Sequence, residues 1–399
     1  MHTLSEDIFC IPTVIRNVSS LIRNNRYTPV YIHAYNKLTS IFVVISMKHS
    51  NKKYTHRLWQ LLLPLLLMAL CIPCIGGCSN DKDSVAQTGK REKVRLNEVA
   101  HSCFYAPMYV AIENGYFKEE GIDLELVTGY GADKTMTALL TGEADIGFMG
   151  SEASIYTYLQ GAKDYAVNFA QLTQRAGNFL VSREPVDDFS WDMLKGHYVL
   201  SGRKGGMPQM VFEYILKKNN IDPDKDLTID TSIDFGSTAA AFAGAKEGEA
   251  GYADFTVEFE PHATTLEAQQ TGYIVASLGT DSGYVPYTAF CARKSYYAEH
   301  SDTLQHFTNA LQKGMNYVAA HSADEIANVI KPQFKETDTN TITTIVSRYQ
   351  SQDTWKTDLI FEQDSFELLE NILMEAGELD SYVPYSDLVI TTYAEAALP

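Results

Sequence analysis

The chain has 399 residues, 45% hydrophobic and 21% charged, enough for two domains around a substantial apolar core. Lys and Arg number 32 against 50 Asp and Glu, a net charge of −18, which excludes the basic footprint of a nucleic-acid binder. Its apolar content excludes disorder, and 25 Gly with only six Cys exclude collagen-like and disulfide-scaffold chains.

Lys48, Lys52, Lys53, His56 and Arg57 form a basic stretch ahead of an apolar run from Leu58 to Ile72, interrupted by Pro64. Ile75-Gly76-Gly77-Cys78 and the polar Ser79-Asn80-Asp81-Lys82-Asp83 follow. Small residues at that point let a signal peptide enter a protease in extended form. The pattern resembles a bacterial lipobox, which implies a signal peptide over 47–77, lipidation at Cys78 and a tether over 78–92. The alternative is an uncleaved anchor, but the apolar core from Leu61 to Ile72 falls short of the roughly 20 residues a spanning helix needs. The two chains of a diacylglyceryl group hold a protein stably. The body is therefore expected outside the cytoplasmic membrane. Residues 1–46 fit no secretory plan and are expected to be a mis-assigned start, with translation from Met47, or a leader lost with the signal. Without residues 1–77 the body carries 24 basic against 48 acidic side chains.

The cysteines follow from this. Cys71 and Cys74 lie in the apolar run, and Cys10 lies in the leader. Only Cys103 and Cys291 remain in the body; they either pair in an oxidising compartment or, the reading preferred here, stay as two separate buried thiols.

From Val94 the pattern alternates strands and helices, as in an α/β fold. Strands are expected at 94–100, 123–128, 144–149, 165–172 and 178–182. Between them, Pro107 starts a short helix through Asn114, and Asp133 can cap a helix that Gly142 stops. A further helix follows Gly150-Ser151-Glu152. A second cycle begins near Pro185, with a strand at 198–201 and a helix from Pro208 to about Asn219. Strands follow near Leu227 and Tyr252, a helix runs through the 258–270 region, and a strand covers 273–277. Beyond Arg293 the chain reads as mainly helical. Two crossings between the halves, near 177–185 and 277–286, would create a cleft, a favoured place for small ligands.

Several motifs fail on inspection. Gly129-Tyr130-Gly131 imitates a dinucleotide fingerprint but has Lys134 where the third glycine belongs. Asp222-Pro-Asp224-Lys-Asp226 begins like a calcium loop, yet Leu227 replaces its turn glycine and Ile233 its bidentate Glu. No P-loop, zincin helix or serine-hydrolase elbow occurs, and no spacing nominates a catalytic triad or a metal site. No catalytic residue, cofactor or metal is expected.

The passage from His101 to Val127 resembles the substrate-binding proteins of ABC importers that carry sulfonates, taurine, nitrate or thiamine-pyrimidine precursors. Pro107, Val110, Ala111, Gly115, Tyr116, Phe117, Glu120 and Gly121 stand in the family's order. Ala138-Leu-Leu-Thr-Gly-Glu-Ala-Asp-Ile-Gly and Phe259-Glu260-Pro261 supply two further markers, so the likeness spans roughly Val94 to Ala397. It implies an α/β type II periplasmic-binding fold whose two lobes are joined by a two-stranded hinge. Residues 93–182 and 283–399 would form lobe I and 183–282 lobe II. It also implies a monomeric receptor that delivers its ligand to a permease and ATPase complex. Two alternatives share the fold: a ligand sensor for a signalling partner, and a thiamine-pyrimidine synthesis enzyme, whose cysteine-rich iron motif this chain lacks.

Ligand loops in such folds follow the carboxyl ends of strands. The candidates are His101, Ser102, Phe104 and Tyr105; Gly150, Ser151 and Glu152; Arg175; Arg203, Gly205 and Gly206; Ser237 and Thr238; and Tyr252, Asp254, Glu258 and Glu260. Each has a plainer alternative: Phe104 and Tyr105 as packing, Gly205 and Gly206 as a turn, Glu152 as a first-turn acid, Glu260 as a hinge brace. Aromatics with carboxylates suit a flat amino-heterocycle, whereas Arg175, Arg203 and the glycine turn suit a sulfonate or carboxylate. The heterocycle is the preferred expectation.

Overall fold

The computed structural model describes residues 91–234 and 236–398. The leader, the signal segment, Cys78, the remaining cysteines ahead of it and the tether as far as residue 90 lie outside the described residues.

The described residues contain ten strands: β1 Glu92–Glu98, β2 Ile122–Thr128, β3 Ile146–Gly150, β4 Ala166–Thr173, β5 Asn178–Ser182, β6 Tyr198–Leu200, β7 Thr228–Asp230, β8 Phe255–Phe259, β9 Tyr273–Ser277 and β10 Thr288–Arg293. They form two five-stranded sheets, ordered β2-β1-β3-β10-β4 and β7-β6-β8-β5-β9. In the first, β1 runs parallel to β2 and β3, while β10 is antiparallel to β3 and β4. In the second, β6 is parallel to β7 and β8, and β5 is antiparallel to β8 and β9. Burial explains the sequence patterns. β3, β4 and β5 are buried at every residue and show no in-out alternation, whereas the edge strand β2 alternates because one face meets water.

The chain crosses from the first sheet to the second between Thr173 and Asn178, and returns between Ser277 and Thr288. This corrects the boundary expected at residue 183, because β5 pairs with β8 and β9. A fully buried strand has no alternation, so only its hydrogen-bond partners reveal which sheet owns it.

The helices that matter below are α1 Ala106–Glu113, α2 Ala132–Thr141, α3 Glu152–Leu159, α4 Met207–Lys218, α5 Thr238–Gly244, α6 His262–Ala268, α7 Ser301–Ala320, α8 Ala323–Ile330, α9 Thr339–Ser351 and α10 Gln363–Glu375. Pro107 lies in the first turn of α1, and Gly142 ends α2 in the left-handed conformation. Asp133 does not cap α2. Gly131, at φ 146°, takes the cap position two residues earlier. The helix expected through Glu258 begins only at His262, because Glu258 belongs to β8, whose first four residues are buried. α8 opens with a reciprocal capping box between Ser322 and Glu325.

α7 buries Leu304, Phe307, Leu311, Met315 and Val318 at helical spacing. It crosses α1 at Gly314, where a Cβ would lie 2.2 Å from the Pro107 carbonyl oxygen and 3.1 Å from the Ala111 methyl. Gly314→Ala therefore forces two helix backbones apart, and the helix-propensity gain of about 1 kcal/mol does not offset this. A net loss of about 2 kcal/mol is expected in urea unfolding. An unchanged midpoint would show that α7 can retreat.

Cys103 and Cys291 are both unpaired and buried, and burial pushes the Cys291 thiol up to about 12. Among the described residues, no helix is long and apolar enough to cross a membrane.

Candidate ligand-binding site

The carboxyl ends of β1, β6 and β8 meet at one cleft of about 390 Å³. The first sheet contributes Ala100, His101 and Ser102 after β1, together with Tyr130 after β2. From the second come Ser201, Gly202 and Pro208 after β6, and the run from Val257 to His262. Gly236, Ser237 and Thr238 open α5 at the same cleft, and Asn178 enters it from the start of β5. Ser102 ties the two sides together: its hydroxyl donates to the Glu260 carbonyl at 2.6 Å.

Three buried carboxylates in and beside this cleft have different companions. Glu98 accepts from His101 Nδ1 at 2.8 Å and from Thr128 Oγ1 at 2.8 Å. His101 Nε2 lies 3.0 Å from the Gln333 carbonyl oxygen, so both ring nitrogens face acceptors. The Glu98 carboxylate and the Gln333 carbonyl both favour the protonated form of the ring. Burial pulls its pKa down, but the Glu98 and Gln333 contacts together turn the net direction upward. Its nitrogens are committed, leaving the ring surface to line the cleft.

Glu260 is also paired. Arg348 Nη1, from α9, donates to its Oε1 at 3.0 Å, while Thr264 donates through N at 2.9 Å and through Oγ1 at 2.8 Å. Burial still raises the Glu260 pKa against these contacts. Glu258 differs. It is 2% exposed and, among the described residues, accepts only from Thr256 Oγ1 at 2.6 Å and Thr238 Oγ1 at 3.1 Å. Burial pushes it up to about 7, with the two hydroxyls opposing and no cation contributing. A carboxyl near half protonation offers both an acceptor and a donor to whatever enters the cleft.

Two buried polar atoms at the cleft have no hydrogen-bond partner among the described residues: Asn178 Nδ2 and Ser201 Oγ. Asn178 Oδ1 accepts from the Tyr287 hydroxyl, which directs the amide nitrogen away from that bond. Buried polar groups are nearly always satisfied, so such a pair marks where a ligand's polar edge fits.

Of the residues expected from sequence, His101, Ser102, Ser237, Thr238, Glu258 and Glu260 come together here. Phe104 and Tyr105 are buried beneath the cleft, Phe104 against Phe259 and Tyr349 and Tyr105 edge-on to Phe148. Gly150 and Ser151 lie at the end of β3, where Ser151 Oγ donates to the Pro286 carbonyl at 3.0 Å. Glu152 is buried at the start of α3, and burial pushes it up to about 7 against the pull of the Arg203 charge and the Met207 N–H. Gly205 and Gly206 form the turn into α4, with Gly205 N–H bound to Gln209 Oε1 at 2.9 Å. Arg203 sits 3.8 Å from Asp133, both half exposed. Arg175 braces the crossing by donating to the Gly279 carbonyl at 3.0 Å and stacking on Tyr284. Tyr252 and Asp254 lie elsewhere, Tyr252 under Arg183 and Asp254 accepting from Tyr198 N–H at 3.0 Å.

Asn178, Ser201 and Tyr130 also line the cleft, although no local sequence signal singles them out. Each adjoins an element that was recognised: Asn178 heads a strand, Ser201 ends one, and Tyr130 lies in the rejected glycine motif. What was missing was which element ends converge.

Comparison with known proteins identifies the family and the fold. The family model described as NMT1/THI5 like matches residues 104–325. The provisionally named binding protein YtlA of Bacillus subtilis (strain 168) is 48% identical over 303 residues, 76% of this chain and 89% of YtlA. The alkanesulfonate-binding protein SsuA from Xanthomonas axonopodis pv. citri, bound to MOPS, superposes at a TM-score of 0.61 with 12% identity, over 76% of this chain and 99% of that one. The periplasmic nitrate-binding protein NrtA from Synechocystis PCC 6803 gives 0.60 with 14% identity, over 77% of this chain and 88% of that one. At such identities the solved structures establish the fold, an α/β periplasmic-binding architecture. All of these named relatives are binding proteins rather than enzymes.

Proposed function

Because the chain belongs to the NMT1/THI5-like family, we propose that it is the extracytoplasmic solute receptor of an ABC-type importer, holding a small N–H-bearing heterocycle between its two sheets. The observation that carries this reading is Glu258: a buried carboxyl in the cleft wall, held by two hydroxyls and, among the described residues, paired with no cation. Asn178 Nδ2 and Ser201 Oγ supply further polar groups for the same molecule. A sulfonate or nitrate would meet the carboxyls of Glu258 and Glu260, and the nearby Arg348 is already spent on Glu260 and Glu267. An amino-heterocycle of the thiamine-pyrimidine type matches instead. Its ring nitrogen accepts from a protonated carboxyl, and its amino group donates to an ionised one.

Recognition proceeds without chemistry. Ligand binds to one side of the cleft, the two sheets with their helices close as lobes, and the closed form docks on the permease. Closure is a population shift whose size is set by the ligand's differential affinity for the two forms. Lipidation at Cys78 would keep the receptor at the membrane.

The test is a thermal-shift screen of the soluble form, residues 79–399, against thiamine pyrimidines, riboflavin, taurine, alkanesulfonates and nitrate. Ligand at about 100 times its dissociation constant adds roughly 2.7 kcal/mol, a shift of several degrees. Response to the pyrimidines with silence from the anions is expected. A shift confined to the anions would overturn the ligand class.

A further inference from the structure

The segment Gly129-Tyr130-Gly131 follows β2 and passes over the end of β1. Gly129 N–H donates to the Glu98 carbonyl at 2.8 Å, and Gly131 N–H to the Val99 carbonyl at 3.0 Å. Side chains are barred on both flanks. A Cβ on Gly129 would lie 2.5 Å from Thr135 Oγ1 and 2.6 Å from Asn97 Oδ1, and Gly131 sits at φ 146°. Between them, Tyr130 is held at φ 56°, a left-handed backbone disfavoured for any residue with a Cβ. Packing does not offset this, because the ring is 60% exposed. Tyr130 makes no hydrogen bond, ion pair or ring contact among the described residues. It lines the cleft from the first sheet, while Gly202 and Pro208 line it from the second. Strain without a packing return points to a role outside the fold itself.

We propose that Tyr130 is the lid of the binding site, its ring lying against a flat face of the bound molecule at the cleft mouth. The proposal rests on the receptor reading above and adds the ligand's shape: a planar aromatic body, with any N–H edge directed inward to Glu258. The rigid glycine-flanked turn holds the ring at the mouth before ligand arrives, so little ordering cost falls on binding. A protonated heterocycle gains further from the electron-rich ring face. A compact tetrahedral anion offers no face for it.

The experiment uses detergent-solubilised full-length protein and the free hydroxymethyl aminopyrimidine of thiamine as probe, with Y130F, Y130A and Y130G compared by calorimetry and stopped flow. Y130F, which keeps the ring, is expected to bind like the parent. Y130A and Y130G lose about tenfold in affinity, the scale of one aromatic stacking contact, mainly through faster dissociation. Y130G also melts higher than the parent without ligand, because glycine relieves the left-handed strain. A variant that is more stable and yet binds more weakly excludes a merely structural role. Parent-like affinity in Y130A and Y130G would overturn the lid alone. Absence of pyrimidine binding by the parent protein would overturn the receptor's ligand class and the lid with it.

Discussion

Arg348→Met is expected to lower the unfolding free energy by about 4 kcal/mol at neutral pH. Arg348 reaches from α9 to the second sheet and its helices, donating to Glu260 at 3.0 Å, Thr264 Oγ1 at 2.7 Å and Glu267 at 2.7 Å. The Glu260 side chain is 0% exposed and that of Arg348 is 28% exposed, so removing the cation leaves a buried carboxylate without its counter-charge. Breaking such a pair from one side costs far more than the pair contributes net, because the surviving ion keeps its desolvation penalty. Two controls follow. The double variant Arg348→Met with Glu260→Gln should recover most of the loss. The deficit should also shrink on acidification, since burial already raises the Glu260 pKa and protonation discharges the orphan. A deficit that is independent of pH and survives the double variant would assign the loss to packing of the Arg348 stem.

Glu258→Gln is expected to separate stability from binding. Burial holds the Glu258 carboxyl near 7 in the folded protein, above the value of about 4.5 that it has in the unfolded chain. Below that unfolded value both states are protonated, and the wild type should match the variant. As pH rises toward 7 the unfolded chain loses its proton first, so wild-type stability falls and then levels off. Above neutrality the glutamine variant should be more stable by about 3 kcal/mol, the worth of that pKa difference. Its affinity for an amino-heterocycle should nevertheless fall about 30-fold, the scale of a charge-assisted hydrogen bond. Denaturant melts at acidic and alkaline pH check the first part, and calorimetry the second. Unaltered affinity would remove Glu258 from ligand contact; equal stability at alkaline pH would mean that solvent or a counter-ion reaches the carboxylate.

The two variants expose what could be read in advance. β9 and β5 begin and end where the sequence pattern puts them, and α4 lies within a residue of its expected span. These elements are bounded by local signals: β-branched and aromatic runs, Pro208 at the helix start, and Gly177 and Gly272 just ahead of the two strands. Glu258 and Glu260 were candidates from sequence, but their different environments were invisible. One carboxylate meets an arginine 88 residues away, and the other, two positions earlier, meets only hydroxyls. Asn178 escaped notice because it heads an ordinary buried strand; it reaches the cleft because β5 runs antiparallel to β8 and sets Asn178 opposite Phe259.

Composition and local pattern alone determined the acidic character, the α/β alternation, the apolar strands and the strand ends where loops were to gather. They act through short-range physics, since backbone preference and the in-out rhythm of side chains are set within a few residues. The tertiary structure decided the rest: that β5 joins the second sheet, that Arg348 neutralises Glu260, that Glu258 stays without a cation, and that Tyr130 stands exposed over the cleft. Each of these depends on which distant segments are brought together. A residue's charge partner and its burial are properties of that long-range arrangement, and no local spacing encodes them.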